Sequence, residues 1–150
     1  MRILASCCIF VLLLGCEIVG PDGAAQRDGP LQIQTDQATY TPGDLATLTI
    51  TNVGSTTLYY NTCMPRTLQT IEDGAAVDVK TYPVCRCLCI TSLAPGEAWS
   101  LTATMSRPEI TNAMPGDQRF RLRLDFYEDA DLRRPLPEAF VVTNSFTIAL

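Results

Sequence analysis

From Leu31 onward, apolar and polar residues alternate with a period of two, in short runs separated by Gly, Pro, Asn and Asp. LQIQT sets Leu31 and Ile33 against Gln32 and Gln34. YTPGD reads as a turn, with Pro42 suited to its first corner and Gly43 to the position that takes a positive φ. LATLTITN then places Ala46, Leu48 and Ile50 on one face and Thr47, Thr49 and Thr51 on the other. TLYYN is a further strand with Tyr59 and Tyr60 on opposite faces, and TLQTIEDGAAVDVKTY predicts a hairpin about Asp73-Gly74. VCRCLCI is predicted as a strand ended by LAPGE, and AWSLTATM directs Trp99, Leu101, Ala103 and Met105 inward. RFRLRLDFY is the most regular run: Phe120, Leu122, Leu124 and Phe126 alternate with Arg119, Arg121, Arg123 and Asp125. FVVTNSFTIAL is predicted as the closing strand. No stretch after Leu31 carries a 3.6-residue apolar stripe. Some seven to nine short strands in about 120 residues predict an all-β fold, an antiparallel β-sandwich with minimal helix.

The N-terminus follows a different pattern. Arg2 and the terminal amine precede an apolar run from Ile3 to Leu14. That run suits a secretory signal and falls short of the roughly 20 apolar residues that span a bilayer. It ends Leu13-Leu14-Gly15-Cys16, which resembles the lipobox of bacterial lipoproteins. The resemblance implies cleavage before Cys16 and acylation of its sulfur, with residues 1–15 removed. A competing string, Leu4-Ala5-Ser6-Cys7, has almost no apolar segment before it. Two or three acyl chains would anchor the protein stably, each buried methylene contributing about 0.8 kcal/mol. Glu17 after the cysteine favours, by the same resemblance, an outer-membrane destination in the cell envelope. Residues 16–30, rich in Gly, Pro, Ala and Asp, read as a flexible tether. Residues 31–150 then form one folded domain.

Charge narrows the partners. Loss of Arg2 leaves ten Lys and Arg against sixteen Asp and Glu, a net charge of −6. Such a chain cannot neutralise a run of phosphates, which excludes nucleic acid, and it would hold to a membrane by its lipid and not by charge. No histidine is present, which removes the Ser-His-Asp and Cys-His classes of nucleophilic catalysis. No catalytic set and no cofactor is expected.

ATYTPGDLATLTITNVGSTTLYYNTC, LAPGEAW and VVTNSFTI together resemble the immunoglobulin-like domains of exported bacterial lipoproteins. The resemblance covers nearly all of Leu31 to Leu150 and lies in turn and strand signatures. It implies an immunoglobulin-like sandwich and a non-catalytic role, binding or scaffolding an envelope protein or glycan. A small β-sandwich protease inhibitor is the alternative, presenting either Cys63-Met64-Pro65-Arg66 or the 128–138 loop.

After processing, Cys63, Cys85, Cys87 and Cys89 remain, an even number in an exported chain, which favours disulfides. On a strand, alternate residues stand about 6.6 Å apart and residues four apart about 13 Å. A bridge wants Cα atoms about 4.4–6.8 Å apart, so an extended segment excludes Cys85 with Cys89. A Cys-x-Cys bridge needs a local bulge or loop. The economical pairing joins Cys63 to one of the other three. Tetrahedral thiolate sites need sulfurs about 3.8 Å apart, which one straight strand cannot supply. Copper(I) would accept two cysteines with Met64. Arg119, Arg121 and Arg123 form a basic stripe, either a candidate binding surface for anionic groups or a solvent face paired with acids. Glu128, Asp129 and Asp131 form an acidic loop beside Arg133 and Arg134, open to calcium or simply solvated.

Overall fold

In a computed structural model the described residues are 29–149, apart from 64, 65, 73, 83–86, 88 and 106–118. The signal segment, Cys16, nearly all of the tether, Met64, Asp73 and Cys85 lie outside them. Ten strands follow in chain order: β1 (Leu31–Thr35), β2 (Thr39–Tyr40), β3 (Leu45–Asn52), β4 (Leu58–Asn61), β5 (Arg66–Glu72), β6 (Ala75–Tyr82), β7 (Ile90–Leu93), β8 (Ala98–Thr104), β9 (Arg119–Arg123) and β10 (Phe146–Ile148). One 3₁₀ turn, Glu138–Phe140, precedes β10.

The strands form a three-stranded sheet β1-β3-β8, a five-stranded sheet β2-β10-β9-β5-β6 and a ribbon β4-β7. Their inner residues make one core, so the protein is an all-β sandwich with a single turn of 3₁₀ helix among the described residues. The period-two pattern accounts for the packing. Ala46, Leu48 and Ile50 of β3 are fully buried, opposite Ala103, Leu101 and Trp99 of β8. Leu31 and Ile33 of β1 add to the same layer. The facing layer comes from Phe120 and Leu122 of β9, Leu68 of β5, and Phe146 and Ile148 of β10. Tyr60 of β4 stacks on Trp99 with ring centroids 4.7 Å apart and leans on Phe126 at 5.2 Å. These aromatics join the ribbon to the three-stranded sheet and to the segment that follows β9.

Turn chemistry sets the register. Gly43 has φ of 101° after Pro42, and the Asp44 amide donates to the Thr41 carbonyl at 3.0 Å, closing the YTPGD turn. Gly74 takes φ of 80° in the β5–β6 hairpin, where Glu72 pairs with Ala75. The pairings are antiparallel except β2 with β10, which run parallel. These two strands lie far apart in the chain, so no hairpin imposes their direction.

The closing segment is less regular than its sequence predicts. Only Phe146–Ile148 is strand; Val142 makes an isolated bridge with Arg123. The Thr143 hydroxyl accepts the Leu122 amide at 3.0 Å, a bond that a ladder would give to a carbonyl. From Thr143 to Phe146 the chain takes three steps where β9 takes two, from Leu122 to Phe120. Asn144 occupies the extra step, and its Oδ1 accepts the Thr35 amide at 2.8 Å.

Two polar groups fasten the layers. Asn52 is wholly buried; its Nδ2 donates to the Thr56 and Leu93 carbonyls, each at 2.8 Å, and its Oδ1 accepts the Gly54 amide at 3.0 Å. Asp36 Oδ1 accepts the Tyr40 hydroxyl at 2.6 Å and the Thr47 amide at 2.8 Å, linking the β1–β2 turn to β3.

Asn52→Ala leaves the buried Leu93 carbonyl, the Thr56 carbonyl and the Gly54 amide without this partner. The expected loss is about 3 kcal/mol, measured by urea unfolding through Trp99 fluorescence. A loss below about 1 kcal/mol would show that the amide is dispensable. Asp36 generates a pH prediction. The Tyr40 hydrogen bond outweighs desolvation and holds its carboxyl below the ordinary value. Because the folded pKa is depressed, its stabilisation is present above the unfolded pKa and is lost as pH falls through the folded one. Asp125, pushed up by burial despite the nearby Arg123, acts with the opposite sign: its contribution is present at low pH and fades as pH rises through its folded pKa. Asp36→Asn should therefore flatten the acid limb of the stability curve below about pH 4. An identical acid limb in the variant would refute the assignment.

Candidate functional site

The cysteine segment departs most from its sequence-based expectation. Of VCRCLCI, predicted as one strand, the described residues are Cys87, Cys89 and Ile90: β7 begins only at Ile90, and Cys87 and Cys89 lie outside any strand. The reason is local. The partner strand β4 ends at Asn61, which pairs with Ile90. Beyond that pair β4 turns away, because Asn61 Oδ1 accepts the Cys63 amide two residues on, at 2.9 Å. No residue of β4 then remains to pair with Cys89 or Cys87. The Thr62 amide donates to the Cys89 carbonyl at 2.9 Å and its hydroxyl donates there at 3.2 Å, clamping the turn to the start of β7.

Freed from an extended geometry, Cys87 and Cys89 form a disulfide with Cα atoms 5.3 Å apart. That is closer than the roughly 6.6 Å of alternate strand residues and inside the bridging range. Cys63 is disulfide-bonded as well. Its Sγ lies 3.2 Å from Cys87 Sγ, and the three sulfurs of Cys63, Cys87 and Cys89 all fall within 4.8 Å of one another. Sulfurs that one straight strand would have kept apart therefore converge. Cys63 is buried, while Cys87 and Cys89 are exposed at the rim.

The arginine stripe lies on the outer face of the five-stranded sheet, and two of its three members are engaged. Arg121 Nη2 pairs with Glu138 Oε1 at 2.6 Å, and its Nε donates to Gln69 Oε1 at 2.8 Å. Arg123 pairs with Asp78 Oδ2 at 3.3 Å and with Glu138 Oε2 at 3.8 Å. Gln69 is itself buried and donates to Asp78 Oδ1 at 2.7 Å. Arg119 begins β9 and is exposed. This is the paired form of the stripe, with the 3₁₀ turn supplying the acid that spans two arginines.

In the acidic loop, Asp129 Oδ2 accepts Arg134 Nε at 3.0 Å and its Oδ1 accepts the Arg133 amide at 3.0 Å. The Arg133 amide, then Arg134, hold its carboxyl below the ordinary value. Glu128 pairs with Arg134 at 3.6 Å, so the loop is braced by its own cations. Tyr60 is in the core and Tyr59 half-exposed, as the alternation implied, and Trp99 packs on Tyr60. Sequence reasoning missed Glu138 as the partner of the stripe and Gln69 as a buried amide. Nothing local to Glu138 signals its role; Gln69 is marked only as a polar residue inside TLQTI.

No protein-family model matches the sequence, and no curated protein matches it in sequence comparison. Similar solved structures include the sporulation control protein Spo0M of Bacillus subtilis, 13% identical, TM-score 0.46, over 81% of this chain and 50% of that one. This chain thus matches half the length of Spo0M. A CARDB domain from Pyrococcus furiosus, solved with di-metal ions, is 15% identical with TM-score 0.38, covering 79% of this chain and 87% of that one. A PapD-like domain of human CEP192 is 15% identical with TM-score 0.32, covering 81% and 85%. Similarity at this level carries no function. The class defined by the chain's own strand pairing is an antiparallel β-sandwich with a cysteine cluster at the end of its two-stranded ribbon.

The Cys87–Cys89 bridge spans a sequence separation of 2 and constrains the unfolded chain little. Cys89→Ser in the oxidised protein should cost about 1.5 kcal/mol in urea unfolding, against about 3 kcal/mol for a bridge closing a loop of some 20 residues. A loss above about 4 kcal/mol would mean that the bridge holds tertiary structure and not merely its own loop.

Proposed function

We propose that this is a lipid-anchored protein of the bacterial cell envelope whose non-catalytic, immunoglobulin-like domain binds or scaffolds another envelope component, a protein or a glycan. The observation that carries the reading is the string Leu13-Leu14-Gly15-Cys16 behind a positive start and an apolar run. The acylated Cys16 is the anchor, residues 17–30 are the leash, and the outer membrane is the favoured destination by virtue of Glu17. An all-β sandwich suits a recognition module. Its acidic balance directs it away from nucleic acid.

Cells fed an alkyne-bearing fatty acid should label the wild-type chain and a Cys7→Ser variant, while Cys16→Ser should lose the label and leave the membrane fraction. Absence of label on the wild type, or label retained by Cys16→Ser, would overturn the anchor.

A further inference from the structure

The convergence of Cys63, Cys87 and Cys89 has a use beyond cross-linking. We propose that, in the reduced chain, these three residues form a site for a soft, thiophilic d10 cation, with copper(I) as its best-fitting occupant. In the oxidised chain the three sulfurs already lie within 4.8 Å of one another, two of them joined as the Cys87–Cys89 disulfide. Opening that bond needs only a small spread to reach the roughly 3.8 Å separation that metal–sulfur bonds of about 2.3 Å require. The ligand set is all sulfur, and the chain offers no histidine to draw a borderline metal. Thiolate sites of this kind select copper(I) and zinc, and three-fold coordination satisfies copper(I), whereas zinc needs a fourth ligand.

The framework under the site does not depend on the bridges alone. Cys63 is fixed by the hydrogen bond that its amide donates to Asn61 Oδ1, and Cys89 by the Thr62 hydrogen bonds to its carbonyl, both at the end of β4 and β7. Burial of Cys63 and exposure of Cys87 and Cys89 give a seated ligand below and an entry path above.

The steps balance as follows. A dithiol reductant gives two electrons and two protons to the Cys87–Cys89 bond; that S–S bond breaks, and one forms in the reductant. A second equivalent opens the disulfide of Cys63. Binding then exchanges three thiol protons for one cation, and no further electron moves. The site exists in the reduced chain only, so oxidation would expel the cation.

The test uses the full-length chain, reduced with a dithiol, freed of reductant under anaerobic conditions, and titrated with copper(I) against a competing chelator. Iodoacetamide labelling with peptide mass mapping reads each cysteine. One equivalent of copper(I) should protect Cys63, Cys87 and Cys89 as a set and produce a sulfur-to-copper charge-transfer band. Cys87→Ser and Cys89→Ser, both at exposed positions, should each weaken binding roughly tenfold or more, since even residues that only orient a ligand cost 10–100-fold when lost. The proposal is overturned if labelling is equally fast with and without copper(I), or if protection falls on cysteines other than this set. Loss of the far-ultraviolet β signal on reduction would also overturn it, since the β4–β7 framework would then be gone.

Discussion

The side-chain amide of Asn52 is the fastening on which the arrangement of the layers depends. It ends β3 in the centre of the three-stranded sheet and reaches the carbonyl at the end of β7. Its own backbone amide and carbonyl bond Glu97 and Gly96 in the turn before β8. A single buried residue thus holds the β3–β4 turn, the β7–β8 turn and the last residue of β7 in one place. Of those partners the Leu93 carbonyl lies in the buried interior, where leaving it unpaired would cost about 1–3 kcal/mol. The β4–β7 ribbon is seated by this residue at one end. At its other end the ribbon carries the cysteines, so the position of the sulfur cluster is set from across the sandwich.

The outer face of the five-stranded sheet follows a different logic. Arg121, Arg123, Asp78, Glu138 and Gln69 form a continuous polar network over β5, β6 and β9. Half-exposed ion pairs of this kind contribute little stability individually, commonly under 1 kcal/mol. Their effect is geometric: they lay the 3₁₀ turn across the sheet and close off Gln69. Arg121 and Arg123 are thereby neutralised by the protein's own acids.

The strands with clean alternation were legible because one face of each is buried, which fixes the register of every residue along them. Phe120 through Leu122 and Ala46 through Ile50 are of this kind; past the end of β9 at Arg123 the alternate burial continues to Phe126 without strand pairing. The failures share a cause. Residues 87 and 89 carry β-prone neighbours, but whether they extend depends on a partner strand, and that partner ends at Asn61. The closing segment reads as one strand, yet the Thr143 hydroxyl and the Asn144 amide side chain divert it; short polar side chains compete with the ladder in ways that a period cannot reveal. The convergence of Cys63 with Cys87 is tertiary, and the sequence could only suggest that Cys63 would meet one of three. Glu138 was invisible for the same reason: it meets Arg121 through the path of a turn, not through spacing.

The five-stranded sheet ends in two unlike margins. At one, β2 is only two residues long and Pro42 follows shortly after it, so it offers little backbone to a second chain. At the other, β6 is long, but it carries Asp78 and Lys80 at its centre, and its pairing with β5 slips by a bulge between Leu68 and Gln69. Charge and local twist at a margin make strand-to-strand pairing between molecules unfavourable. Under the proposed lipid anchor, where neighbours would share two dimensions instead of three, that resistance to self-templated aggregation would keep crowded copies separate.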